Sequence, residues 1–273
     1  MLARATSELA AAGVAAPRAD AEWLAAHVLG VDRGRLILVD SVRDDELRAF
    51  TELVARRATR IPLQHLIGTA AFRYVDVAVG PGVFVPRPET ELLAGWGIAH
   101  TRPGGTVVDL CSGSGAIALA VAAESKAGRV VAVERSPDAL TWLRRNVAAS
   151  GLEVEVVAGD VTEADLLGEL SGEVAVVLCN PPYVPDGTVV PPEVGVYDPA
   201  EAVFGGADGL KLIRPVVALA AGLLEPGGYL GIEHDDTQGA AVPALLAADG
   251  RYHSVTAHDD LAGRPRYATA RRA

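Results

Sequence analysis

The sequence predicts an α/β protein: a mostly parallel, doubly wound sheet, preceded by a small helical domain and a β-hairpin linker. Three observations carry this. From Thr106 onward, apolar runs of strand length alternate with helix-length segments, the pattern of a parallel sheet with crossover helices. The first of those runs leads into a glycine turn that opens a helix, Asp109-Leu-Cys-Ser-Gly113-Ser-Gly115. Residues 1 to about 60, by contrast, lack strand alternation and are rich in the good helix formers Ala, Leu, Arg and Glu.

In chain order, Asp20 to Gly30 places Trp23, Leu24, His27 and Val28 on one helix face, with Gly30 as a stop. His27 on that face reads as partly buried core. Asp44 to Arg57 gives a second amphipathic helix with Leu47, Phe50, Leu53 and Val54 as its apolar side. Ile61 to Gly68 breaks the helical pattern. Phe72 to Val79 alternates, and Gly80-Pro81-Gly82 turns the chain before Val83-Phe84-Val85, which predicts a hairpin. Pro86-Arg87-Pro88-Glu89-Thr90-Glu91 is a rigid entry to the next helix, with acids where the helix dipole favours them. Strands are then expected at Thr106–Cys111, Arg129–Glu134, Val154–Ala158, Glu173–Cys179 and Gly228–Glu233. Helices are expected at Ala116–Ala123, Pro137–Ala149 and Leu210–Leu224, and a closing hairpin from Tyr252. The boundaries are residues 1–70 for the helical part, 71–85 for the linker and 86–273 for the sheet domain.

The 273 residues are half hydrophobic, 22% charged and carry a net charge of −11, a globular composition. The charge is uneven: +1 over residues 1–75 and −12 over residues 76–273. An acidic surface argues against long contacts with a phosphate backbone. Two cysteines, Cys111 and Cys179, make no disulfide framework and suit a reducing compartment. Glu8 interrupts any leader-like run, and the apolar stretch Val216–Leu224 is too short to span a bilayer. A cytoplasmic protein, not bound to membrane, is expected.

Two constellations carry chemistry. Glycines in the turn after the first strand let a ligand approach the backbone and the free N–H groups of a helix start. Glu134 ends the next strand, spaced to accept both hydroxyls of a ribose. This is a nucleoside-cofactor site, and the turn alone leaves its identity open. Gly113-Ser-Gly-Ala-Ile-Ala118 fits the relaxed dinucleotide pattern, whereas Asp109 ahead of the glycines looks like the S-adenosylmethionine loop of class I methyltransferases. The second constellation, Asn180-Pro181-Pro182-Tyr183, ends the fourth strand, where ligands of such sheets bind. The Asn180 oxygen and the Pro181 carbonyl suit one planar NH₂ group, and Tyr183 offers a π-face beside it. An amide or an exocyclic amine fits equally.

These residues resemble the protein-glutamine N5-methyltransferases that modify peptide chain release factors, over nearly the whole chain. The resemblance rests on Arg60 to Gly68, on Val85-Pro-Arg-Pro-Glu-Thr-Glu91, on Asp109 to Gly115, on Asn180 to Tyr183 and on Ala202 to Leu210. The Pro-Arg-Pro-Glu-Thr segment discriminates, because Asn-Pro-Pro-Tyr is shared with adenine-N6 methyltransferases of DNA and RNA. The resemblance implies a Rossmann-like class I methyltransferase using S-adenosyl-L-methionine on a glutamine in the conserved loop of a release factor. It implies that Cys111, Ser112, Gly113, Ser114 and Gly115, with Asp109, wrap the methionine part of the cofactor. Glu134 would hold the ribose, and Asp160 and Val161 would flank the adenine. Phe84 and the Pro86–Pro88 turn would close over the cofactor. Asn180, Pro181 and Pro182 would hold the glutamine amide, with Tyr183 packed against it.

The chain departs from the family pattern at Cys111, which stands for Gly, at His65 for Tyr, at Asp198 for Glu, and over Glu233-His-Asp-Asp-Thr-Gln238. An adenine-N6 methyltransferase is the alternative reading and would need a basic channel. A nicotinamide-dependent dehydrogenase would need a catalytic acid pattern that is not evident, and a cofactor-binding regulator would not need an intact clamp. His234 and His258, with acids nearby, meet no metal-ligand spacing, so no metal is expected. Cys111 and Cys179 end neighbouring strands as reduced thiols. The partner expected is a release factor met as a protein, not a nucleic acid, by a monomeric enzyme.

Overall fold

The computed structural model describes residues 1–273. They divide into two units: residues 1–69 with 190–197, and residues 70–189 with 198–273.

The first unit contains α1 (Leu2–Ala11), α2 (Pro17–Leu29), α3 (Asp44–Ala58) and the short α4 (Leu63–Ile67), with a 3-10 turn over Arg33–Leu38. Pro17 opens α2 and Gly30, at φ 63°, ends it. Three acids in the first turn of α3 and Arg56 and Arg57 in its last suit the helix dipole. The core gathers Leu9, Ala21, Leu24, Ala25, Phe50, Val54 and Leu66. The buried face of α2 therefore differs from the expected one. Ala21, Leu24 and Ala25 point inward, whereas Trp23 is 42% exposed and His27 lies in solvent. The small alanines suit close packing, and buried Asp20 goes inward because Arg57 meets it there at 2.8 Å. Ile61 to Gly68 does not simply break the helical pattern: it closes one more helical turn, α4, stopped by Gly68 at φ 80°.

The segment 190–197 belongs to this unit through charge. Arg57 Nη2 reaches Glu193 Oε1 at 2.8 Å, and Arg60 grips the same carboxylate twice, at 2.7 and 2.6 Å. Glu193 opens a π-helical turn, Glu193–Tyr197.

The second unit takes in β1 (Thr69–Phe72) from its second residue, and β2 (Val75–Ala78) pairs with it in a two-stranded sheet. The expected hairpin of residues 72–79 with 83–85 is thus displaced towards the N-terminus. The chain turns at Arg73-Tyr74, with Arg73 at φ 52°, and residues 79–85 form no strand. That turn was hidden because neither residue is the Gly, Asn or Asp that usually supplies positive φ.

There follow α5 (Thr90–His100), β3 (Thr106–Leu110), α6 (Ala116–Glu124), β4 (Arg129–Glu134), α7 (Pro137–Ser150), β5 (Glu155–Ala158), β6 (Val174–Cys179), α8 (Ala200–Val203), α9 (Ile213–Leu223), β7 (Leu224–Glu233), α10 (Ala241–Ala248), β8 (Tyr252–Asp259) and β9 (Pro265–Arg272). The seven-stranded sheet runs β5-β4-β3-β6-β7-β9-β8. Its first five strands are parallel, and β9 is inserted antiparallel between β7 and β8. β7 starts earlier than expected, at Leu224, because a register shift against β6 absorbs the Pro226-Gly227-Gly228 stretch.

Alternate strand residues feed two cores. Val108, Leu110, Val131, Val133, Val177 and Cys179 face α9 and α10. Val107, Val130, Ala132, Val176 and Leu178 face α5, α6 and α7. Every residue of β6 is buried, which explains its unbroken apolar run. Because β3 neighbours both β4 and β6, the strand order reverses beside it, and the crevice at the C-terminal ends of β3 and β6 is the place for a ligand.

Candidate active site

The loop after β3 turns by leaving the strand at Cys111 with φ 59°, followed by Gly113 at 57° and Gly115 at 88°. The cysteine therefore adopts the left-handed conformation that glycine takes without cost, at a strain of roughly 1 kcal/mol. The backbone path that glycine would give is kept. A Cβ on Gly113 would meet nothing within 4 Å, so the loop faces open space, whereas one on Gly115 would lie 2.6 Å from Leu143. Glycine at 115 therefore lets α6 start close against α7, and glycine at 113 leaves the backbone bare.

Asp109 is buried beneath this loop. Its Oδ2 accepts from Ser112 Oγ and from the Ala118 amide at 3.2 Å, while Oδ1 has no partner. Burial pushes its carboxyl up to about 7, against the hydrogen bonds of Ser112 and Ala118. Glu134, at the end of β4, accepts the Gly113 N–H at 2.9 Å through Oε2 and those of Arg135 and Ser136 at 2.8 Å through Oε1. Asn146 of α7 braces the loop by donating to the Ser114 carbonyl at 2.9 Å. After β5, Val161 is buried, and Asp160 accepts from Thr162 and pairs with Arg135 at 3.2 Å.

The second cluster lies after β6. Asn180 Nδ2 donates to Thr90 Oγ1 at 3.2 Å, and the Tyr183 hydroxyl donates to Glu233 Oε1 at 3.0 Å. Pro181 and Pro182 are buried. The loop is backed by Gly205 to Gly209. A Cβ on Gly205 would lie 2.5 Å from the Pro182 carbonyl, and one on Gly209 only 2.1 Å from that of Tyr183. Gln238 Nε2 ties both sides together, donating to the carbonyls of Tyr183 and Asp208 at 3.0 Å each.

The Pro-Arg-Pro-Glu-Thr segment has physical work at both ends. Arg87 Nη2 pairs with buried Asp198 at 2.5 Å and its guanidinium lies 4.8 Å over the Phe84 ring. Thr90 holds Asn180. Asp198 thus makes a working partner despite the departure from Glu.

The expected residues fall into two linked groups. In the first, Ser112 bonds to Asp109 and Gly113 to Glu134; in the second, Asn180 bonds to Thr90 and Tyr183 to Glu233. The strand register sets them side by side, Leu110 of β3 opposite Cys179 of β6. Cys179 is buried, Cys111 is partly buried, and both are free. His234 and His258 stand apart from any metal-type cluster: His234 is buried with Nδ1 on the Asp235 carbonyl, and His258 stacks on Tyr267. Thr90, Glu233, Gln238 and Asn146 were not singled out from sequence as site residues. Thr90 lies inside the Pro-Arg-Pro-Glu-Thr segment, and Glu233 and Gln238 bound the run that departs from the family pattern, but nothing local assigns any of them a partner, and nothing local marks Asn146.

The dinucleotide-binding sheet runs 3-2-1-4-5-6 in parallel; here a reversed strand is inserted before the edge. Residues 89–192 match the methyltransferase small domain. The 16S rRNA N2 G1207 methyltransferase of T. thermophilus, solved with AdoMet and guanosine, superposes with a TM-score of 0.54 over 75% of this chain and 50% of its own, at 21% identity. The catalytic unit is therefore a Rossmann-like class I methyltransferase. Residues 1–68 match the PrmC N-terminal domain. The release factor glutamine methyltransferase of Mycolicibacterium smegmatis is 56% identical over 98% of this chain and 95% of its own. That of Streptomyces coelicolor is 49% identical over 100% and 97%. The chain belongs to the release factor glutamine methyltransferase family.

Proposed function

We propose that this protein transfers a methyl group from S-adenosylmethionine to the side-chain nitrogen, N5, of a glutamine in a peptide chain release factor. The observation that carries the reading is the Asn180 amide, held by Thr90 of the Pro-Arg-Pro-Glu-Thr segment so that Nδ2 is occupied and Oδ1 remains to accept. The open face of Gly113 and the buried, unpartnered Asp109 Oδ1 fit a cofactor over the glycine loop. Asp109 and Cys111 to Gly115 would hold its methionine part, Glu134 its ribose, and Asp160 and Val161 its adenine, with Phe84 closing the site.

When bound, the cofactor supplies an electrophilic methyl on a sulfonium. An amide nitrogen is a poor nucleophile, since its lone pair is delocalised, and no side chain here is basic enough to deprotonate it first. The work of this chain is placement. Asn180 Oδ1 and the Pro181 carbonyl accept the two N–H hydrogens, which stabilises charge growing on nitrogen and aims it. Tyr183 packs beside the amide. The proton leaves to water after transfer, so no general base is assigned.

The helical unit is assigned to recognition of the folded release factor. Ile37 and Leu38 stand 89% and 73% exposed on its 3-10 turn, and a cavity of about 470 Å³ beside Trp23, His27 and Arg35 gives a second surface. The substrate is read as protein, not nucleic acid, because the chain from residue 76 carries −12. No helix is long and apolar enough to cross a membrane, and the cytoplasm is the compartment proposed.

Incubating the protein with cofactor and release factor, followed by mass spectrometry of tryptic peptides, tests the reading. A 14-Da gain on one glutamine (one methyl for one hydrogen) is expected, lost about 10²-fold in Asn180→Ala. Methylated adenine in DNA or RNA, with the release factor untouched, would move the protein to the adenine-N6 class.

A further inference from the structure

Glu233 ends β7 and is 1% exposed. Its Oε1 takes the Tyr183 hydroxyl, while Oε2 closes no hydrogen bond of standard geometry. The Thr90 hydroxyl lies within reach of the same carboxyl. Thr90, 3% exposed, also receives Asn180 Nδ2 at 3.2 Å. A hydroxyl has one hydrogen, and an ionised carboxylate only accepts. With Glu233 ionised, Thr90 turns its hydrogen to Glu233 and its lone pairs to Asn180. That decides which way the Asn180 amide faces, because its NH₂ must meet Thr90 and its oxygen must point away. A protonated Glu233 brings its own hydrogen. Thr90 is then free to accept from Glu233 and donate to Asn180, and the flipped amide would present NH₂ to the NH₂ of the substrate.

We propose that Glu233 is a positioning residue for methyl transfer, acting through Thr90 to keep the Asn180 oxygen toward the substrate amide and through its own hydrogen bond to keep Tyr183 in place. The inference rests on the reading of Asn180 as the amide acceptor. Burial lifts the Glu233 carboxyl to about 7, opposed by Thr90, Tyr183 and Arg266 of β9 and assisted by Glu89 ahead of α5. Tyr183 and Cys179 face it too, both raised well above their ordinary values by burial and so neutral in this range. His234 beside it is lowered by burial.

The test measures release-factor methylation by the full-length protein and its T90V, T90S, E233Q and N180A variants, with cofactor affinity and thermal midpoint alongside. T90V and E233Q are expected to lower kcat about tenfold with cofactor Kd within about twofold, and T90S to recover most of the loss. Wild-type kcat should rise with pH through about 7, and that rise should flatten in E233Q. If E233Q and T90V keep wild-type kcat and pH profile while N180A is inactive, the inference fails and the amide reading stands. A loss of kcat matched by equal loss of cofactor affinity, or left unrecovered by T90S, makes the role structural and overturns it. Normal turnover by N180A would overturn the amide reading and this inference with it.

Discussion

The Glu134 carboxylate reaches back from the end of β4 to the Gly113 amide at 2.9 Å, so the ribose-holding candidate and the glycine loop are one hydrogen-bonded piece. With three backbone N–H groups on it, this carboxylate is oriented before any ligand arrives. Preorganisation of this kind lowers the ordering cost of binding.

Glu134→Ala should therefore weaken cofactor binding by roughly 1–3 kcal/mol, from the lost acceptor and the loosened loop together. Calorimetric titration reads it. An unchanged dissociation constant would reduce Glu134 to a brace for the Arg135-Ser136 turn.

Much of this site was legible because its chemistry is local in sequence. Asp109 to Gly115 run from the end of β3 into its loop, Asn180 to Tyr183 form the loop after β6, and both strands carry plain buried, β-branched runs. The partners that hold those loops are remote: Thr90 stands 90 residues before Asn180, and Glu233 50 residues after Tyr183. Nothing in the local pattern of Glu233 to Gln238 tells that Gln238 will bridge two loops. The face of α2 was misplaced for a related reason. An apolar-face count favours Trp23 over Asp20, yet a buried Asp20 is stabilised by an arginine 37 residues away. The hairpin turn at Arg73-Tyr74 carries no turn-type residue, so only the positive φ of Arg73 reveals it.

In the helical unit, burial alone would raise the Glu193 carboxyl, but the hydrogen bonds of Arg60 and Arg57 outweigh it and hold it at about 2. A depressed carboxyl contributes stability above its unfolded value, about 4.5, and loses it as pH falls through the folded one. Glu193→Gln should cost about 2–3 kcal/mol at neutral pH, because it takes the carboxylate from Arg60 and leaves Arg57 with Asp20 and the Ile61 carbonyl. Urea denaturation of the full chain should show the gap between wild type and variant constant above pH 5 and closing towards pH 2. A gap independent of pH would mean that shape, not charge, holds residues 190–197.

The Asp198 carboxyl is shifted the opposite way from that of Glu193, although the loss on removing its arginine also grows with pH. Asp198 accepts from Arg87 and, at 3.4 Å, from the Val85 amide, and its side chain has no exposed surface. Burial raises its carboxyl to about 6, against the pull of Arg87. Removing Arg87 removes that pull, so the carboxyl should rise further. A carboxyl raised by folding ionises more easily in the unfolded chain, so its cost appears as pH climbs above the ordinary value near 4. Arg87→Ala should thus be nearly neutral at pH 4, apart from the contact with Phe84. At pH 8 it should be destabilising by about 2–4 kcal/mol, since a buried carboxylate is left without its cation. Adding Asp198→Asn takes away the charge that Arg87 neutralised, so the double variant should recover the pH-dependent part of the loss and keep only the Phe84 part. Denaturation midpoints of the single and double variants at pH 4, 6 and 8 measure both parts. Equal destabilisation by Arg87→Ala at all three values would show that the arginine acts by packing alone.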